Sequence, residues 1–150
     1  MDGGSIMYRN FPEKAQEIMN ERFGHDNLLA LATVESGEPW VRTVNAYYEE
    51  GSFYVVTDAR SNKMRQIQSG SGIALCGDWF TARGTGENLG HVLDERNAAL
   101  METLRTVFVS WYSNGHVNEN DPNTCILRIR LTSGVLFSRG TRYDIDFTEA

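Results

Sequence analysis

The sequence has little cysteine, little histidine, no excess of basic charge and no long apolar run, and each shortage removes a class of function. Two cysteines in 150 residues are too few for the disulfide framework of a small secreted domain. Neither Cys76 nor Cys125 has a CxxC or Cys/His neighbour at metal-ligand spacing. Both sit in apolar, strand-like contexts and are read as buried reduced thiols. His25, His91 and His116 are scattered and form no His-x-x-x-His pair, so no metal is expected. No apolar stretch approaches the ~18 residues of a membrane span, and the opening MDGGSIMYRNF lacks a basic segment followed by an apolar one. Neither secretion nor membrane insertion is expected, and the location is expected to be cytoplasmic. Lys and Arg number 14 against 20 Asp and Glu, a net charge of -6 with a pI near 5.0, which opposes a nucleic-acid partner. No Gly-x-Ser-x-Gly elbow is present and Ser110 lies in a helical pattern, which disfavours a serine hydrolase. Gly84-Thr85-Gly86-Glu87-Asn88 lacks the third glycine of a dinucleotide fingerprint and reads as backbone shaping.

What is present is a globular composition, 41% apolar and 11% aromatic, at a length that suits one domain over residues 1–150. Phe11, Ala15, Ile18, Met19 and Phe23 lie near helical spacing behind Pro12, and Gly24 stops that helix. Leu28 to Val34, Trp40 to Tyr48 and Phe53 to Asp58 then read as three strands joined by short turns. Trp40, Arg42, Val44, Ala46 and Tyr48 share one face of the second strand, with Val41, Thr43, Asn45 and Tyr47 on the other. A short helix from Ser61 to about Gln68 is broken by Ser69 to Gly72, before a fourth strand from Ile73 to Trp79. Phe80 to Val92, with its glycines, is expected to be a bent or bulged strand. Asp94 caps the clearest helix, in which Asn97, Leu100, Met101, Leu104, Val107, Phe108 and Trp111 recur at i, i+3 and i+4 until Gly115. Thr124 to Leu131 alternates as a strand, a hairpin is expected through Thr132, Ser133 and Gly134, and Tyr143, Ile145 and Phe147 alternate in the tail. Asp144 and Asp146 share a strand face and read as solvated. The fold class is therefore mainly β, a barrel of six or seven antiparallel strands with helical additions.

One local feature stands against the acidic background. Arg60, Lys63 and Arg65 place three cations in six residues, beside the Ser61 hydroxyl and the free amides of a helix start, with Thr57 at the strand end just before. These are the groups that a phosphate dianion requires; the same charges also suit a solvated helix face.

The order of these segments resembles the flavin-binding split barrels related to pyridoxamine 5'-phosphate oxidase, over most of the chain. In that family a strand carrying Arg-x-Val lines the flavin, matched here by Arg42, Thr43, Val44 and Asn45. A following strand ends in Thr before a Ser-Arg-Lys turn, matched by Val56, Thr57, Ser61, Asn62 and Lys63. The resemblance implies FMN as cofactor, with Lys63 and Ser61 on its phosphate, Arg42 on the phosphate or the polar edge of the ring, and backbone near Val44 facing the ring. Trp79 lies where the family places another ring-contacting side chain. The family's dimers carry cofactor at the subunit interface, which implies a homodimer completed by Trp111, Tyr112 and the loop from His116 to Asn123. Two departures stand out. Asn62 replaces the usual arginine, leaving Arg60 or Arg65 for the phosphate, and Arg142-Tyr143-Asp144 stands where the vitamin-converting oxidase has Arg-x-His. The implied function is an FMN-dependent oxidoreductase of unidentified small-molecule substrate. The alternatives are a non-enzymatic flavin or heme binding, storage or sensor protein, and a deazaflavin-dependent reductase. No residue stands out as a catalytic acid or base, and Arg42 is assigned only to stabilising a reduced, anionic ring.

Overall fold

A computed structural model describes residues 12–68, 70 and 72–149; Phe11 of the opening helix pattern, and Ser69 and Ser71 of the helix break, lie outside the described residues. Helix α1 (Glu13–Phe23) buries Ala15, Met19 and Phe23, one residue per turn on one stripe. It ends at Gly24, where a Cβ would stand 2.4 Å from Asn20 O, so only glycine allows the chain to turn away there. Strands β1 (Asn27–Glu35), β2 (Glu38–Glu49) and β3 (Ser52–Asp58) form the expected meander. Its turns are the pairs Ser36-Gly37 and Glu50-Gly51, each with positive φ at both residues. That geometry matches the right-handed twist of the strands it joins.

Helix α2 (Asn62–Gln68), strand β4 (Ile73–Gly77) and strand β5 (Phe80–His91) follow. The fourth strand stops short of Trp79, which lies in the turn to β5 with φ of 52°. Strand β5 is bulged as expected, its register shifting at Arg83/Gly84 and between Asn88 and His91. Helix α3 (Ala98–Val107) is entered through a single 3-10 turn at Glu95–Asn97, capped by Asp94 Oδ1, which accepts from Arg96 N at 2.9 Å. The continuous helix expected as far as Trp111 is interrupted at Phe108. A short α4 (Val109–Trp111) and a π-turn over Tyr112–His116 follow. The kink turns the Trp111 indole toward Asp26 and the Tyr112 hydroxyl toward Glu119, and Gly115, at φ 99°, ends the segment.

The hairpin expected through Thr132, Ser133 and Gly134 does not form: β6 (Thr124–Ser138) runs straight through them, and the turn to β7 (Thr141–Asp146) is made by Arg139-Gly140. Gly134 serves packing instead, since a Cβ there would meet Phe80 Cε1 at 3.0 Å and Phe147 Cε2 at 3.1 Å.

The sheet order is β3-β2-β1-β4-β5-β6-β7, and pairing of β3 with the first half of β6 closes six strands into an antiparallel barrel with β7 outside. Phe23, Phe53 and Phe80 meet in its core, with ring centroids 5.4 to 6.5 Å apart. A second cluster lies outside the barrel, where Met101, Leu104 and Phe108 of the α3 segment cover Ile126, Tyr54 and Val56. No described helix is long and apolar enough to cross a membrane.

Candidate functional site

Strand parity decides which side chains reach the open end of the barrel. Leu29 and Leu31 of β1 point into the core and Val44 of β2 does the same, so Thr33 and Arg42, two positions further toward the rim, also point inward. Thr57 of β3 pairs with Cys125 of β6 at the same end. Helix α2 lies across this mouth, inserting Met64 and Ile67 into the core. Its Gln66 is buried against the barrel: Oε1 accepts from Arg42 NH2 at 2.9 Å and from the Thr33 hydroxyl. Arg42 NH1 donates to Thr33 Oγ1 at 2.7 Å and to Leu31 O at 3.2 Å. The guanidinium is thus fixed by neutral acceptors only, and its charge is left uncompensated.

Lys63 stands one helical turn before Gln66 on the same helix. Its ammonium is half-buried, with no hydrogen bond or ion pair to a described residue. Burial, and then the neighbouring charge of Arg42, hold its pKa below the ordinary lysine value, while Cys125 and Asp58 oppose the shift. Cys125, desolvated in the same place, is pushed up to about 11. Two cations facing each other without a carboxylate between them are unfavourable alone and suited to an anion. Ser61 opens the turn into α2; its Oγ accepts only a long bond from Met64 N, 3.4 Å, and its hydroxyl proton is free to donate. Helix α2 has seven residues, so the attraction rests on side-chain charge rather than on a long helix dipole.

The arginines expected as substitutes for the missing one are already paired. Arg60 holds Asp58 through Nε at 3.1 Å and NH2 at 2.8 Å, and reaches Asp121 at 3.1 Å. Arg65 pairs with Glu35 at 3.0 and 3.1 Å and with Asn62 Oδ1 at 3.0 Å. Neither carries free charge toward Lys63. Of the other residues singled out in the sequence, Thr57 and Ser61 lie with Arg42 and Lys63 at the mouth. Val44 is in the core and Val56 packs beneath α3. Thr43 and Asn45 point to the outer face of β2, where Asn45 Nδ2 donates to Asp26 Oδ1 at 2.9 Å. Trp79 is not brought to this mouth within one chain. From Ala74, beside Ala32, to Trp79 is roughly 17 Å of strand, and its ring, 70% exposed, meets Phe137 at the far end. Within the chain, Trp111 Nε1 donates to Asp26 Oδ2 at 2.9 Å and the Tyr112 hydroxyl to Glu119 Oε2 at 2.6 Å. Among the described residues, no three His, Cys, Asp or Glu side chains converge to hold a metal ion.

A family model described as pyridoxamine 5'-phosphate oxidase matches residues 11–136. The chain belongs to the pyridoxamine 5'-phosphate oxidase family. No curated protein matches it. Among solved structures it is similar to General Stress Protein 26 from Bacillus anthracis str. Sterne, with 16% identity over 87% of this chain and 98% of that one, at a TM-score of 0.62. A FAD-binding protein from Mesorhizobium loti shares 12% identity over 79% of this chain and 90% of its own, with a TM-score of 0.62. A pyridoxamine 5'-phosphate oxidase-related, FMN binding protein from Nostoc punctiforme PCC 73102 shares 19% over 83% of each, with a TM-score of 0.55. At such identities the likeness establishes the shared split-barrel fold.

Within the pyridoxamine 5'-phosphate oxidase fold as this chain builds it, Thr33 and Gln66 are site residues that no sequence motif marks, and Cys125, buried as expected, stands beside them; Cys76, expected to be buried as well, is exposed because its side chain points to the outer face of β4. The inward parity of Leu29, Leu31 and Thr33, and the one-turn spacing of Lys63 and Gln66, were the available signals. An outer face of the barrel that no described element covers is also new. The cross-strand row Val41, Ala32, Ala74, Arg83, Ser133, Asp146 and the parallel row through Ala30 and Cys76 carry mostly small side chains. They floor an open cleft of about 710 Å³.

Proposed function

We propose that this protein is a cytoplasmic, homodimeric FMN-binding flavoprotein and that it acts as an oxidoreductase on a small molecule. The observation that carries the reading is the unpaired, desolvated Lys63 beside Arg42 at the mouth of a barrel of this family. Lys63 and the Ser61 hydroxyl would hold the phosphate, Thr57 would donate beside them, and Arg42, fixed by Thr33 and Gln66, would supply a second positive charge. FMN, when bound, supplies hydride and electron transfer at its ring. The chain's own part is binding, orientation and the electrostatics of the mouth. Similarity to proteins described as FMN- and FAD-binding supports the cofactor class.

The small-residue outer face supports the dimer. Alanines and serine let a second backbone approach closely, and Val41 and Leu28, 69% and 68% exposed, add apolar surface to cover.

A second reading, flavin binding without turnover, is favoured by Arg142. In the segment Arg142-Tyr143-Asp144, Arg142 is paired with Asp144 at 2.9 Å and leans on Phe137 at the far end, and Tyr143 is buried.

Fluorescence quenching of FMN and riboflavin by the purified protein tests the cofactor reading: FMN is expected to bind at least tenfold more tightly, and equal affinities would refute the phosphate site. Anaerobic reduction of the bound flavin by NADH or NADPH, followed by an acceptor screen, separates the oxidoreductase from the binding protein.

A further inference from the structure

The turn that presents Ser61 and Lys63 is held from outside the barrel. Two links join it to the loop 118–123. Ala59 N donates to Asn123 O at 2.8 Å, and Arg60 NH2 donates to Asp121 Oδ2 at 3.1 Å. Asp58 closes the turn on itself, accepting from Arg60 N at 2.7 Å as well as from the guanidinium. The contact that ties this closed turn to another element through a side chain is therefore the one to Asp121.

The loop is itself anchored. His91 Nε2 lies 2.8 Å from Glu119 O and 3.0 Å from Asp121 O, two acceptors that select the tautomer with its hydrogen on Nε2. The Glu119 carboxylate accepts from Arg105 Nε at 2.8 Å and from the Tyr112 hydroxyl at 2.6 Å. A continuous set of polar contacts thus runs from α3 through the loop to the turn before Lys63.

We infer that Asp121 is a positioning residue of the phosphate site: through Arg60 it fixes the turn over residues 59–61, and so sets where the Ser61 hydroxyl and Lys63 ammonium meet the FMN phosphate. This rests on the phosphate reading above. The sign of the effect distinguishes it from simple electrostatics. A carboxylate near an anion site weakens anion binding, so neutralising an Asp121 with no positioning role would tighten FMN binding.

Asp121→Asn is the informative change. It keeps an oxygen for Asn123 N, bonded to Oδ1 at 2.9 Å, and replaces the oxygen facing Arg60 with an amide. The experiment measures FMN and riboflavin dissociation constants by fluorescence quenching, with a thermal melt, for the wild type and this variant. Expected are a wild type that prefers FMN and a variant that binds FMN about two- to fivefold more weakly, with riboflavin affinity and melting unchanged. Unchanged or tighter FMN binding overturns the inference, as does an equal loss for both ligands, which would mark general loosening. In an Arg60→Met background, where Asp121 has nothing to position, Asp121→Asn is expected to cause no further loss of FMN affinity and, by removing a negative charge, to leave it equal or tighter; an undiminished loss there also overturns the inference. A wild type that binds both ligands equally overturns the phosphate reading itself, and this inference with it.

Discussion

Replacing Lys63 by methionine sets the needs of the fold against those of the site. In the folded protein the ammonium is half-buried, unpaired and repelled by Arg42; unfolding returns both charges to water. The charged lysine therefore destabilises the empty protein, and a methionine of similar length fills its space without charge. The expected gain is about 1 kcal/mol, or roughly 2–4 °C in Tm for a chain of this size. The ligand shows the opposite sign. Losing a charge-assisted contact to phosphate costs about 1.5–3 kcal/mol, or roughly 10- to 150-fold in the Kd for FMN, with riboflavin unaffected. Salt is expected to weaken FMN binding more in the wild type than in the variant. The pH dependence follows from the direction of the shift. Because the folded Lys63 value lies below 10.5, the unfolded chain binds more protons between that lowered value and 10.5. Wild-type stability thus gains a contribution as pH rises through this window, and the variant lacks it. Melting curves across pH and quenching titrations at two salt concentrations measure all of this. A variant less stable than the wild type, or one that loses FMN and riboflavin equally, would refute the reasoning.

The other predictions concern the frame around the site. Gly84→Ala places a Cβ 2.5 Å from the backbone oxygen of Arg130, so β5 and β6 must separate, at an expected cost of about 2–3 kcal/mol in urea unfolding. Gly86→Ala meets side-chain methyl groups of Ile67, Ile73 and Leu127, at 2.6, 2.8 and 3.3 Å, rather than backbone, and is expected to cost less; equal costs would contradict the distinction. Asp26→Ala strands the Asn45 amide and the Trp111 indole N–H, both bonded to it at 2.9 Å. The expected loss is about 1–3 kcal/mol, with a shift in tryptophan emission whose absence would remove the tether. Thiol labelling at pH 8 is expected to modify exposed Cys76 and to spare buried Cys125, whose thiol burial pushes up to about 11. Labelling of Cys76 is expected to slow as rising protein concentration brings two copies together over its face; a rate independent of concentration counts against that interface.

Much of the architecture was legible because it is local. The Ser36-Gly37 and Glu50-Gly51 turns, the alternation that sends Val44 inward and Thr43 outward, and the stop at Gly24 are each decided by residues within a few positions of one another. Lys63 and Ser61 were legible for the same reason, as a polar cluster at a strand-to-helix turn. By contrast, Arg65 loses its free charge to Glu35, thirty positions earlier; Arg60 is paired both locally with Asp58, two positions earlier, and across the fold with Asp121, sixty-one positions later. Gly134 looked like a turn residue until Phe80 and Phe147 closed on it.

Residues a few positions apart are enough to specify most of the strands, their faces, the short turns and the cations around the start of the second helix, because backbone sterics and side-chain period act over that range. Which of those cations stays unpaired is settled by packing in three dimensions. Closure of β3 onto β6 and the seating of α2 on the mouth bring Arg42 of β2, Lys63 and Gln66 of α2 and Cys125 of β6 together from three separate elements. Charge compensation depends on distance in space, which the barrel sets and the linear order does not.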